Sequence, residues 1–254
     1  MTDEASPDDV HKLRTSVRRV EVRLGRCPAK IANPLRSLRK KAGKVRDIDV
    51  HLELLNSALF TGPAASVRED LRRILNSKRA RHQDSLLKLT ADAAPLVESR
   101  LPKVVKHAPA ETPNARAAQL ATAEARRQFL QWTEKIPEAG EPLHRLRIDT
   151  KKLRYSLEPL SAFADAAEMA ARLKQVQDSI GSWHDWATLL DLAGRELGSA
   201  SSESAFAALE ARTTREFRKA RRTAERVREW MASAKPVASV PRANTSQRLI
   251  RKAG

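Results

Sequence analysis

The segment VHKLRTSVRR at residues 10–19 returns as LHRLRIDTKK at residues 143–152. Each copy reads His-x-x-Arg-x-x-x followed by two basic residues. The first supplies His11, Arg14, Arg18 and Arg19; the second supplies His144, Arg147, Lys151 and Lys152. A second element follows each copy. Gly43-x-x-Arg46-Asp47 matches Gly181-x-x-His184-Asp185, and Leu35, Arg36 and Leu38 align loosely with Leu173, Lys174 and Val176. The offset is 133 positions for the first element and 138 for the second, which one five-residue indel accounts for. A basic helix can arise twice by chance. Two elements in the same order, at nearly the same separation, mark an internal repeat.

Helix phase shows what the repeat carries. At about 100° per residue, His11, Arg14 and Arg18 fall within about 60° of one another, off the apolar stripe. That stripe is Val10, Leu13, Val17, Val20 and Leu24, in steps of three and four. His144, Arg147 and Lys151 repeat the arrangement, and Arg154 and Tyr155 extend it by a turn. A solvated basic face ordinarily intersperses acids as i,i+4 partners. Glu21 is read as the one such acid, at the position of Arg154 in the second copy. Uncompensated cations repel one another unless water screens them or an anion lies between them.

Working outward, helices are expected at about 10–24, from near Asn33 to Ala58 with Pro34 in the first turn, and at about 65–90. Further helices are expected at about 115–136, 141–163, 166–198 and 202–232. Gly25, Pro28 and Thr61-Gly62-Pro63 read as stops and turns. The stretch 102–114 reads as a linker rich in Pro and Ala. Residues 233–254 hold five basic residues and no acid, and read as a disordered tail. The expectation is one all-α domain over 8–232, with halves at about 8–101 and 115–232.

Composition agrees. The 254 residues include 48 Lys and Arg against 31 Asp and Glu, a formal charge of +17. Aromatic residues reach only 4%, too few for the strands of a β-sandwich or barrel. The charge predicts a polyanionic partner: nucleic acid, an acidic membrane surface or a polyphosphate. One cysteine, Cys27, excludes an intramolecular disulfide and a Cys-rich zinc site. No apolar run approaches the roughly 18 residues of a membrane span. The acidic start, with Asp3, Glu4, Asp8 and Asp9, is unlike a secretory signal, so a cytoplasmic protein is expected.

The elements VHKLRTSVRR and LHRLRIDTKKLRYSLE, with KVRDIDVHLELL and LKQVQDSIGSWHDWATLL, resemble the CHAD family of histidine α-helical domains, from about Asp8 to about Trp230. The resemblance implies two four-helix-bundle halves related by a pseudo-two-fold axis. It implies basic residues lining a groove that holds inorganic polyphosphate, no enzymatic activity and no cofactor, and association with polyphosphate granules. Three features depart from the family pattern. The C-terminal basic tail lies outside the family domain. Only ten residues precede His11, so either the start is truncated or the first half is one helix short. Glu21 weakens the first basic face.

The residues expected to bind polyphosphate are His11, Arg14, Arg18, Arg19, His144, Arg147, Lys151, Lys152, Arg154 and Tyr155, with Arg39, Arg46 and Lys174 on the following helices in a second tier. The two basic helices are expected to clamp one chain between them. Arg offers a forked donor set, Lys a point charge and His one or two bonds. Taken singly, each is more often a solvated surface residue. Asp47 and Asp185 read as structural acids, and Trp183 and Trp186 as core. No phosphate-cradling G-x-x-x-x-G-K-[ST], no G-x-G-x-x-G and no H-E-x-x-H is present. The E-x-E-x-K strand motif of CYTH triphosphatases is absent as well, so no catalytic or metal site is expected. Two other readings compete: a nucleic-acid-binding protein, disfavoured by the scarcity of stacking aromatics, and a helical scaffold for protein partners. Nucleic acid is expected to bind weakly and without sequence preference.

Overall fold

The computed structural model describes residues 5–24, 28–61, 64–106, 114–137, 140–198 and 203–233. Among them are seven α-helices and no strand: α1 (Pro7–Leu24), α2 (Ala29–Leu54), α3 (Ala65–Lys106), α4 (Ala115–Trp132), α5 (Gly140–Leu157), α6 (Ala164–Leu197) and α7 (Glu203–Ser233). Single 3-10 turns lie at Ala58–Phe60 and Glu158–Leu160. The protein is all-α, as its periodicity predicts.

Several boundaries move, each for a physical reason. α2 begins at Ala29 rather than near Asn33, which leaves Pro34 inside the helix. Ile31, 2% exposed, adds a turn to the stripe of Leu35, Leu38, Ala42 and Val45, and its burial offsets the hydrogen bond that Pro34 forfeits. α3 does not stop near residue 90, and the expected linker does not begin at 102. The helix runs through Pro95 and Pro102 to Lys106, because Ala93, Val97, Leu101 and Val104 continue its apolar face onto the same core. α5 is shorter than expected and ends at Leu157, where Pro159 follows in the 3-10 turn. Gly25, Cys27, Gly62-Pro63, residues 107–113 and residues 234–254 lie outside the described residues.

Helix starts follow local chemistry. At α1, Ser6 Oγ accepts from the Asp9 amide at 3.2 Å and Asp9 Oδ2 accepts from the Ser6 amide at 3.1 Å. This reciprocal box, with Pro7 at the first helical position, meets two otherwise orphaned donors. At α4, Asn114 Oδ1 accepts from the Ala117 amide at 2.8 Å.

Contacts divide the chain into two compact units that do not follow the two sequence halves. The first is Met1–Thr112 with Asp178–Arg221; the second is Pro113–Gln177 with Arg222–Gly254. The first unit holds two cores. In one, Val10 and Val17 of α1 pack with Ile31, Leu35, Leu38, Ala42 and Val45 of α2 and with Leu86 and Ala93 of α3. In the other, Trp186, Leu189 and Ala193 of α6 and Leu209 of α7 pack with Ile48, Leu55, Phe60, Leu71 and Leu75. That second core is why the later stretch of α6 joins α1–α3. Within the second unit, the buried apolar side chains include Ala118, Ala125 and Phe129 of α4, Leu143, Leu146, Leu153 and Leu157 of α5, and Leu173 and Val176 of α6.

One polar break in the first unit is an ion pair. Asp49 sits in the buried stripe of α2, its side chain only 2% exposed. Arg79 Nε of α3 donates to its Oδ1 at 2.7 Å. The same guanidinium donates to Gln83 Oε1 and, at 3.0 Å, to the Ala5 carbonyl.

Candidate functional site

α1 carries the first basic face. Arg14 and Arg18 are partly buried, and His11 and Arg19 are exposed. The i,i+3,i+7 spacing sets His11, Arg14 and Arg18 one above another. Arg14 lies across α2 at Gly43, where a Cβ would stand 3.8 Å from its Nε. That is an ordinary van der Waals distance, so Arg14 crosses α2 close to Gly43 without requiring a glycine there. Arg46, one turn further along α2, is also partly buried. Arg39 is engaged already: its Nε donates to Glu21 Oε2 at 2.6 Å, so the acid that departs from the repeat neutralises a second-tier cation.

α5 carries the second face, in the other unit. His144, Arg147, Lys151, Arg154 and Tyr155 are partly buried, and Lys152 is exposed. Arg154 is fixed from three sides. Its Nε donates to Gln177 Oε1 at 3.0 Å, its Nη1 donates to Glu158 Oε1 at 2.6 Å, and its guanidinium lies 4.2 Å from the centre of the Tyr155 ring. Arg147 Nε is buried with no hydrogen-bond acceptor. A buried donor left unmet costs about 1–3 kcal/mol. Lys174 is exposed on α6.

The repeat reappears as contact geometry. Glu21 and Arg154 are equivalent under the 133-residue offset, and Arg39 and Gln177 under the 138-residue offset. In each copy these two positions meet, as Glu21 with Arg39 and as Arg154 with Gln177. The burial pattern repeats too. Val10 and Leu143, Leu35 and Leu173, Val45 and Trp183, and Ile48 and Trp186 are buried at equivalent positions. Trp183 and Trp186, 8% and 2% exposed, are core residues as expected.

Three groups escaped the sequence reading. Asp149 is a second acid among these cations; it accepts from Lys152 Nζ at 2.8 Å and from Arg145 Nε at 3.0 Å. Burial pushes its carboxyl up, but those two hydrogen bonds outweigh burial and hold it below the usual carboxylate range. Lys152 is therefore already paired. The second group joins α2 and α3, where His82 feels Lys41 and Lys44 from α2 and Lys78 and Arg81 from its own helix. Burial first, and then those four cations, depress its pKa below the ordinary 6.5. Among them Lys78 pairs with Glu196 of α6 at 2.6 Å. The third is the Asp49–Arg79 pair, where the structural acid of the first copy lies two residues beyond Asp47, itself exposed.

Among the described residues no group of three or more His, Cys, Asp or Glu side chains is arranged to hold a metal. No described helix is long and apolar enough to cross a membrane.

Comparison with known proteins accords with this arrangement. Residues 1–194 match the CHAD domain family. With three quarters of its length matched, the chain belongs to the CHAD domain family. A crystal structure of the CHAD domain from the plant Ricinus communis superposes with a TM-score of 0.65 at 19% identity, covering 91% of this chain and 83% of that one. At that identity the likeness is one of fold. No curated protein matches the chain.

Proposed function

We propose that the chain is a non-enzymatic binder of inorganic polyphosphate that works in the cytoplasm at polyphosphate granules. The observation that carries this reading is the repeated His-x-x-Arg face, with Arg14 laid across Gly43 in one copy and Arg147 holding an unmet buried donor in the other. Cations one helical turn apart, about 5.4 Å, suit a flexible chain with a charge on every phosphate. Counterion release makes such binding fall linearly in log affinity with log salt. The deciding experiment is competition at about 0.15 M salt, near-physiological screening. Labelled long-chain polyphosphate is displaced by unlabelled polyphosphate, duplex DNA or RNA at equal phosphate concentration. Efficient displacement by polyphosphate alone supports the reading. Equal displacement by nucleic acid replaces it with a nonspecific basic surface.

Two further results are expected. Glu21→Gln removes a carboxylate from the first face and releases Arg39, so polyphosphate affinity rises about two- to fivefold, the scale of a partly exposed ion pair. The second concerns protons. Unliganded His82 has a lowered pKa, so it binds its proton less readily than an unfolded histidine, and stability declines as pH falls through about 6.5. Urea denaturation between about pH 7.5 and pH 5.5 reads the decline, and His82→Asn flattens it.

A further inference from the structure

A cleft of about 420 Å³ lies within the first unit, and none of its lining residues belongs to the two basic faces. Its apolar walls are Leu59 of the 3-10 turn, Trp186 of α6, and Ala208 and Ala211 of α7. The two alanines, one turn apart, leave the space beside the indole. Its polar rim is Ser57, Arg212 and Arg215, with no acid among the lining residues.

The rim is built. Arg212 Nη2 donates to Glu216 Oε1 at 2.9 Å, and Ser182 Oγ donates to the other oxygen of that buried carboxylate at 3.1 Å. The Arg212 guanidinium lies 5.1 Å from the centre of the Trp186 ring, and Phe60 stacks on Trp186 with centroids 6.5 Å apart. Arg212 is therefore held in place by Glu216, outside the cleft, and by Trp186, one of its walls. The Arg212 side chain is still 37% exposed, and Arg215 is exposed beside it. Two accessible guanidiniums with no acid in the lining suit an anionic oxygen. Bare phosphate leaves the apolar walls unused, and a neutral hydrophobe leaves the guanidiniums unused.

We propose that this cleft binds a small organic anion: a flat apolar body against Trp186, Ala208 and Ala211, bearing one phosphate or carboxylate that accepts from the guanidiniums of Arg212 and Arg215. The volume falls in the range of small-molecule sites. The site is independent of the polyphosphate reading.

The test is calorimetric titration of the full chain with 1-naphthyl phosphate, against orthophosphate and 1-naphthol. Saturable one-to-one binding is expected, at least tenfold tighter than either comparator. Arg212→Gln weakens it at least tenfold. Ala211→Leu, which fills the cleft without touching a charge, abolishes it while polyphosphate binding and the helical signal persist. Binding persists when Arg14, Arg18, Arg147 and Lys151 are all changed to Glu. The proposal is overturned if orthophosphate binds as tightly, if no saturable binding occurs, if Ala211→Leu binds as the parent does, or if the fourfold charge reversal removes binding.

Discussion

Changing Arg14, Arg18, Arg147 and Lys151 together to Glu abolishes polyphosphate binding and leaves the helical circular dichroism signal in place. The first two lie on α1 and the last two on α5, at equivalent positions of the repeat. None belongs to the buried apolar sets that hold these helices, which are Val10 and Val17 for α1 and Leu143, Leu146 and Leu153 for α5. A charge-assisted hydrogen bond contributes about 1.5–3 kcal/mol, so losing four of them and reversing their field weakens binding at least about 1,000-fold. Each change made singly should flatten the slope of log affinity against log salt by about 0.7, the value per phosphate contact for a single strand. Filter binding or anisotropy across a salt series measures both. Survival of binding would shift the site to the basic residues of 233–254.

Asp49→Ala destabilises the protein by about 3–5 kcal/mol, the scale for stripping one partner from a buried ion pair. Its side chain is 2% exposed and that of Arg79 16%, so neither ion regains water when its partner is lost. Arg79 would keep Gln83 and the Ala5 carbonyl, both neutral, against a full positive charge. Urea denaturation followed by circular dichroism reads the loss. The double change Asp49→Met with Arg79→Met restores much of it, because apolar side chains of similar volume avoid the desolvation cost of both ions. A double variant as unstable as Asp49→Ala would show that the Ala5 tether, rather than the charge pair, sets the stability.

Helix content was written in the spacing of Val10, Leu13 and Val17, and the two basic faces in the repeat of His-x-x-Arg; both needed only the period of a helix. What was not legible depended on partners distant in sequence. The stretch from Pro102 read as a linker, and only the core of α1 and α2 explains why the helix passes through Pro95 and Pro102. The joining of α6 to the first unit rests on Trp186 and Leu189 meeting Leu55 and Leu71, and periodicity does not specify which stripe meets which. Some signals were present and went unread. Asp49 interrupts the apolar stripe of α2, and Arg79 and Gln83 interrupt that of α3, so one buried pair was implied by two gaps. Asp149 stands inside the quoted repeat itself.

The meeting of Glu21 with Arg39, and of Arg154 with Gln177, constrains how two such copies can drift apart. Descent from a common hairpin requires a changed residue at both positions, and the changes come one at a time. Starting from an arginine and a glutamine, altering the second position first sets two guanidiniums side by side, which is unfavourable. Altering the first position first gives a glutamate facing a glutamine, which keeps a hydrogen bond and offends nothing. The inherited contact thus makes the order of mutation matter: one path is open at every step, and the other crosses a valley.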